Sequence, residues 1–504
     1  MAKSKKVTKP VGPRSKPALN TRPAAEFLNK ELIERILAEA MDVLKKVGIF
    51  VENQEALTLL GDGGAKIDPA TQRARLPEAL VWRCIRSAPH PVHMFDRTGK
   101  LAMKLEGMNT YFVTGSAVLK ILDSKTGKSR PTVTADMVAL SRLSDALPHI
   151  GAQSTAVVPC DVPEKIADRY RLYIALMNSS KPIITGTFTT EGFAVMRDML
   201  QVVAGGAKAL KAKPIAIFDA CASQPLKWSN LTTQSLIDSA RLGIPAELIS
   251  VPLLGATSPA TLSGALVQHV AENLGGLVIH QLAGPGSPVI YGGSPAVLDM
   301  THGTCCLGAA EAMMMCCAYA QIARTLKLPS HGYMALSDAK TIDAQAGMES
   351  GIGALMAALG GVNVVSGVGL LEFEGCHSLE KLAIDNEACG MAHRIAAGVQ
   401  PRGKRLGADL FGDIGSGDHF LTSPMTLKWF REEVLRPSRI IDREAVGVSH
   451  QGPGIVQRAR ERVETLLAEH KPVPLPPDVQ AELTEIMTAD AKRHGMDHLP
   501  RQQV

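Results

Sequence analysis

PAELISVPLLGATSPATLSGALVQHVAENLGGLVIHQLAGPGSPVIYGGSP, residues 245–295, reads as one strand–helix–strand unit. Pro245 to Leu254 is a short apolar run rich in Ile, Val and Leu, and Gly255–Ser258 turns the chain. Ser258-Pro259 places an N-cap residue before a proline at the first helical position. Leu262, Leu266, Val270, Leu274, Leu277 and Val278 then recur at the spacing of one helix face. Gly284-Pro285-Gly286 stops the helix, Pro288 to Tyr291 is a second apolar run, and Gly292-Gly293 turns the chain again. Neither run alternates between apolar and polar, which is the pattern of parallel strands covered on both faces.

Outward from this unit the same pattern repeats. Apolar runs begin at 111, 150, 182, 214, 245, 288, 330 and 362, with a helical stretch between each pair. Eight such units, each about 30 to 45 residues long, predict a closed (β/α)8 TIM barrel rather than an open doubly wound sheet. The expected organisation is a disordered basic tail (1–25), an N-terminal helical cap (26–108), the barrel (109–400), and a C-terminal loop and helical extension (401–504). Gly303 to Leu326 is expected as one long helix carrying Cys305-Cys306 and Cys316-Cys317. The long C-terminal helices point to a homodimer.

The chain of 504 residues carries a net charge of +5, but seven Lys or Arg residues and no acid precede Glu26. The remaining 47 basic residues face 49 acidic ones, so the body is nearly neutral. The tail lacks interleaved aromatics and contains several prolines, so it reads as a solvated arm rather than a nucleic-acid-binding segment. The longest apolar helical stretch carries His269, Glu272 and Asn273, so no membrane span is expected. No apolar leader follows Met1, and nine cysteines without disulfide-like spacing point to the cytoplasm.

In a (β/α)8 enzyme the active site lies at the C-terminal ends of the strands. Lys181 and Lys213 precede strands three and four, at the inert end, which argues against a Schiff-base lysine there. Cys160, Cys221, His331, Cys376 and His377 fall near the mouth, yet none has the paired spacing of a zinc site, so no bound metal is expected. Aromatic residues are only 4% of the chain, but Tyr111, Phe188, Phe218, Tyr291 and Tyr333 map near strand ends. Aromatic faces close to an acid suit a quaternary ammonium. Glu247, inside strand five, is a buried carboxylate with either a raised pKa or a paired structural role.

Several separated motifs resemble the trimethylamine methyltransferase (MttB) family. They are Leu254-Gly-Ala-Thr-Ser-Pro259 leading into Thr261-Leu-x-Gly-Ala-Leu266, Pro288-Val-Ile-Tyr-Gly292, Ser337-Asp-Ala-Lys340, Asp343-Ala-Gln-Ala-Gly-Met-Glu349 and Leu379-Glu-Lys-Leu-Ala-Ile-Asp385. The similarity spans roughly Asn29 to Leu467. It implies a barrel that passes a methyl group from a methylated amine to the cobalt of a corrinoid (cobalamin) carried on a separate small protein, with no cofactor held tightly by this chain. The archaeal trimethylamine enzymes use pyrrolysine, and this sequence contains none, so it is more similar to the non-pyrrolysine branch acting on quaternary amines such as glycine betaine. A quaternary nitrogen suits this chemistry, because its methyl group is electrophilic and a neutral tertiary amine leaves. On this reading Tyr111, Phe188, Tyr291 and Tyr333 surround the ammonium, and Asp219, Glu349 or Glu372 supplies negative charge. His331 and His377 hydrogen-bond a substrate carboxylate or orient the acid; with Glu349 they form the expected catalytic set. The competing readings are a non-catalytic binder of methylated amines and a zinc-assisted barrel methyltransferase or lyase.

Overall fold

A computed structural model describes residues 22–115, 117–403, 405–412, 419–445 and 453–502. Eight parallel strands close into a barrel: β1 Tyr111–Thr114, β2 Ile150–Ser154, β3 Ile183–Thr185, β4 Ala216–Cys221, β5 Ala246–Ser250, β6 Val289–Gly293, β7 Ser330–Tyr333 and β8 Val364–Val368. Each strand pairs with its neighbour in sequence, and β8 closes on β1. The helices that follow them in turn are α1 Thr134–Ala146, α2 Ala167–Asn178, α3 Gly192–Ala204, α4 Asn230–Leu242, α5 Leu262–Ala283, α6 Ala310–Thr325, α7 Ala344–Gly360 and α8 Leu379–Ala396.

Alternate residues of each strand face the barrel interior. Val113, Ala152, Ile184, Ile217, Ile290 and Val364 form the lower interior layer, in one buried cluster with Val92, Met94, Met103 and Leu105. Those last four belong to a hairpin, Val92–Phe95 with Leu101–Leu105, that plugs the N-terminal end. One pleat further up, the same faces carry Ser154, Asp219, Gly292, Tyr333 and Ser366. Glu247 and His331 join them from β5 and β7, because register places Asp219 beside Glu247, Glu247 beside Ile290, and Gly292 beside His331. An apolar floor thus lies under a polar mouth.

The central unit forms as expected, with one shift. Its helix begins at Leu262, capped by the Thr261 hydroxyl accepting from the Gly264 N–H at 3.3 Å, not at Ser258-Pro259. The intervening residues stay outside the helix because Leu253–Leu254 pair with Ala296–Val297 in a small rim sheet, and Ser258 bridges back to Leu254. A second difference has the same cause. Thr304–Cys306 is the third strand of that sheet, so Cys305 and Cys306 lie on a strand and the helix starts only at Ala310.

The N-terminal cap contains helices Lys30–Lys46, Gln54–Asp62 and Glu78–Ser87. Asn29 and Asn53 cap the first two through their side-chain oxygens. The cap also holds three-residue strands at Ile49–Val51, Lys66–Asp68 and Arg73–Arg75, too short to show a period in sequence. The cap helices pack on α5 from outside while β5 and β6 pack on it from inside. Buried on both sides, α5 must satisfy its polar residues internally: Asn273 bonds the N–H and C=O of Gly292, and Glu272 accepts from Leu226 N–H and Gln268. Of the expected basic tail, residues 1–21 lie outside the described residues. From Arg22 the chain runs along the barrel, with Arg22 donating to Ala358 O and Ala25 N–H to Leu359 O.

Past the barrel, helix Ile455–Glu469 packs on α8 and α1, and helix Pro477–Arg493 on α3 and α2. Among the described residues no helix is long and apolar enough to cross a membrane.

Candidate active site

Asp219 and Glu247 stand side by side on adjacent strands at the top of the barrel interior. As two carboxylates they would repel, and both Glu247 oxygens and Asp219 Oδ1 would be buried without a donor. One proton held between them removes the repulsion and pairs one oxygen of each, leaving the other Glu247 oxygen open to the site. Burial raises the Asp219 carboxyl to about 7, opposed by the charge of Arg171 and by the hydrogen bond with Glu247. Burial and then the adjacent Asp219 charge push Glu247 well above the usual carboxyl range. Near neutral pH the pair therefore shares at least one proton and gains its single negative charge as Asp219, the more easily ionised member, gives up its proton around pH 7.

His331 braces this pair. Its Nε2 lies 3.0 Å from Ser366 Oγ and 3.2 Å from Glu247 Oε1, and burial lowers its pKa to about 3, so the ring is neutral. The ring fits because its neighbour is glycine: a Cβ on Gly292 would sit 2.8 Å from His331 Cβ. Tyr333 meets the His331 ring edge-on at 5.1 Å between centroids. Burial and the charges of Asp219 and Glu374 keep its hydroxyl protonated.

Two further charged groups converge here. Arg171, from α2, is buried, with its guanidinium 4.4 Å from the centre of the Phe188 ring and donating to Thr155 O. Burial lowers its pKa to about 10, against the opposing charges of Asp168 and Asp219. Glu374 comes from the loop after β8, where Glu372, Phe373 and Glu374 all have positive φ, at 53°, 55° and 63°. Three consecutive left-handed residues without glycine are strained, and such strain collects at functional loops. Burial raises Glu374 to about 8, with Ser294 Oγ at 3.5 Å from its carboxyl. Cys221 opens onto the same space, its thiol held protonated by its protein surroundings and then by Asp219, Glu247 and Glu374.

Of the residues expected from sequence, Asp219, Tyr333, His331 and Phe188 converge at the mouth. Glu349 and Glu372 lie on the rim. Glu349 accepts from Ser337 Oγ at 2.6 Å and Asp338 N–H at 2.8 Å, lining a cavity of about 530 Å³ that also contains Lys340 and Phe373. Glu372 faces Lys120 at 3.7 Å. His377 is buried in the rim strand Cys376–His377, against Gly369, and is neutral.

Two tyrosines are elsewhere. Tyr291 points out of the barrel wall, where its hydroxyl is 3.1 Å from His269 Nδ1 and its ring neighbours Tyr319. The reason is parity: Ile290 and Gly292 take the inward positions on β6. Tyr111 sits at the plugged end, its hydroxyl accepting from Lys104 N–H at 3.0 Å. Neither borders the mouth.

Arg171 carried no sequence signal. It belongs to the run Asp168-Arg-Tyr-Arg171, which looks solvent-facing in sequence, yet Asp168, Arg169 and Arg171 are all buried. Among the described residues no group of three or more His, Cys, Asp or Glu side chains is arranged to hold a metal ion.

The mouth thus offers a carboxyl pair that takes up a negative charge around neutral pH, an aromatic ring and a neutral imidazole. That arrangement suits a cation.

Comparison with known proteins matches the chain over nearly its full length. Residues 2–495 match the protein family described as Trimethylamine methyltransferase (MTTB). The trimethylamine methyltransferase MttB of Desulfitobacterium hafniense is 30% identical over 478 residues, covering 94% of this chain and 95% of that protein. The trimethylamine methyltransferase MttB of Methanosarcina barkeri is 31% identical over 490 residues, covering 95% and 98%. The glycine betaine methyltransferase of Desulfitobacterium hafniense is 29% identical over 479 residues, covering 94% and 98%.

Proposed function

The chain belongs to the trimethylamine methyltransferase (MTTB) family, and from that premise we propose that it moves a methyl group from a quaternary amine of the glycine betaine type to the Co(I) of a corrinoid. The corrinoid is the methyl acceptor, brought by a separate protein that docks over the mouth, and the chain itself holds no cofactor tightly. All nine cysteines are free, which fits a reducing cytoplasm.

The observation that carries the reading is the buried Asp219–Glu247 carboxyl pair at the mouth, with oxygens open to the site and Tyr333 close by. A quaternary ammonium has no proton to donate, so it gains nothing from directed hydrogen bonds. It gains from charge and from an aromatic face in a water-poor site. Asp219 supplies the charge and Glu247, protonated, donates to it. Ser366 holds the His331 ring, which lies 3.2 Å from Glu247 Oε1. Tyr333 offers its ring to the methyl groups.

The chemical step asks little more of the protein. Attack on a methyl carbon breaks one C–N bond, forms one C–Co bond and releases a neutral tertiary amine. The donor must be held with one methyl pointing out of the mouth, in line with the acceptor, and water must be kept away from the reduced acceptor. The apolar floor beneath Asp219 and Glu247 leaves the mouth as the way in. As the tertiary amine forms, its positive charge disappears and its attraction to Asp219 is lost, which favours product release.

The test is a screen of quaternary amines with cob(I)alamin under strictly reducing conditions, following methylcobalamin by its absorbance. A betaine-like donor should give methylcobalamin with this protein and none without it. If no quaternary amine in the screen yields methylcobalamin, the reading fails.

A further inference from the structure

Asp168 opens α2, and each of its oxygens has a separate task. Oδ2 accepts the Phe188 N–H at 2.7 Å, while Oδ1 accepts the Arg169 backbone N–H at 2.8 Å and its guanidinium at 3.0 Å. Arg169 continues outward: Nη1 reaches Thr189 Oγ1 at 3.1 Å, and Nε donates to Asp490. Asp490 lies on the helix Pro477–Arg493, more than three hundred residues away in sequence. Asp168, Arg169 and Asp490 are 0%, 1% and 2% exposed.

Three buried charges are a costly way to attach a helix. Well-packed apolar residues of similar size attach one at least as firmly, whereas an ion chain with each partner fixed sets one geometry. Space has been left for this chain: a Cβ on Gly192, the first residue of α3, would lie 2.4 Å from Asp168 Oδ2 and 3.0 Å from Arg169 Nη1. At its inner end the chain holds the backbone of Phe188, whose ring lies against Arg171, the guanidinium that opposes the burial of the Asp219 charge.

We propose that Asp490 is a positioning residue for the mouth. Through Arg169 and Asp168, the C-terminal helix holds the segment after β3, and with it Phe188 and the Arg171 guanidinium against its ring. The inference rests on the reading above, in which the mouth binds the amine, for its effect on catalysis. The mechanical link itself does not depend on that reading.

Two readouts test it. Asp490→Asn keeps the size of the side chain and removes the charge that orders Arg169. Hydrogen–deuterium exchange of the peptide spanning 186–192 should speed up about tenfold in this variant. With a donor found in the screen, KM should rise about fivefold to tenfold while kcat stays within about twofold. The control is Asp145→Asn, because Asp145 binds the same C-terminal extension at the other end of the barrel, through His470. It should lower the melting temperature and leave both exchange at 186–192 and KM unchanged. If Asp490→Asn does not fold, Asp490→Glu, which keeps the charge but displaces it, should shift the same two readouts in the same direction by less. The inference is overturned if a folded Asp490 variant loses thermal stability with no faster exchange at 186–192 than the Asp145 control. An inactive wild type would count against the proposed function, and the exchange comparison would still decide the link.

Discussion

At the plugged end of the barrel, Asp145 accepts from Ser179 Oγ at 2.9 Å, Ser180 N–H at 2.7 Å and His470 Nε2 at 2.7 Å. Beside it the Lys181 ammonium donates to the carbonyls of Ser144, Leu147 and Ile150. At the mouth, Asp219 and Glu247 have only each other's shared proton for their inward oxygens, and His331 Nδ1 is unpaired. Both ends bury charged groups, but Asp145 and Lys181 are fully bonded where Asp219 and Glu247 are not. Burial alone would raise Asp145, but the bonds from His470, Ser180 and Ser179 outweigh it and hold the carboxyl below its ordinary value. Burial dominates at Asp219, where the Arg171 charge and the hydrogen bond with Glu247 oppose it without outweighing it, and the carboxyl is raised to about 7. Polar groups left open in a cavity are poised for a ligand, whereas fully bonded ones hold the fold.

The sharpest way to break this contrast is to neutralise one carboxylate at each end. Asp219→Asn removes the charge facing the ammonium. A unit charge at contact distance is worth about 4 kcal/mol at an intermediate dielectric, so kcat/KM for a betaine-like donor should fall by about a hundredfold to a thousandfold, measured as the initial rate of methylcobalamin formation. Asp145→Asn should leave kcat/KM within about twofold and cost about 1–3 kcal/mol in urea unfolding, since it disturbs satisfied hydrogen bonds. Equal losses of activity at the two ends would erase the distinction.

Titration gives the contrast a sign. The folded Asp219 pKa of about 7 lies above the unfolded value of about 3.9. Its contribution to stability is therefore fully present below about pH 4 and is lost as pH rises toward 7, by about 2–4 kcal/mol. Asp145 is depressed, so its contribution is present above the unfolded pKa and is lost as pH falls through the lower folded one. Urea unfolding across this range should show Asp219→Asn flattening the decline toward pH 7 and Asp145→Asn flattening the acid-side loss. In activity, kcat/KM should rise with pH through about 7 as Asp219 ionises, and this limb should be absent in Asp219→Asn.

Smaller effects sharpen the picture inside the mouth. Gly292→Ala places a methyl group against His331 and should cost about 1–3 kcal/mol of stability, with a loss of activity that follows the displaced ring. Glu247→Gln should do least. If Glu247 is the protonated member, an amide N–H replaces its O–H as the donor to Asp219, and kcat/KM should stay within about threefold. A loss as large as that of Asp219→Asn would mean that Glu247 carries the charge.

The mouth was partly legible in sequence. Asp219, His331 and Tyr333 could be found because they end apolar runs, and the end of a barrel strand is a place that chain order alone defines. Arg171 and Asp490 could not. Each is buried by segments distant in sequence, and a charged run such as Asp168-Arg-Tyr-Arg171 looks the same whether water or protein covers it. Glu374 depends on a strained turn that no glycine marks.

The order of the barrel's strands and helices, its eightfold closure and membership of the family follow from the sequence alone, because helix period, turn residues and separated motifs are local and survive without partners. The facing of each side chain required the tertiary structure. In strands covered on both sides, apolar residues occupy both faces, so alternation disappears and parity has no local signature. Only pairing with β5 and β7 turns Ile290 and Gly292 inward and sends Tyr291 toward His269. Pairing likewise brings Asp219 and Glu247 together, and the charge they share is a property of two strands that neither possesses alone.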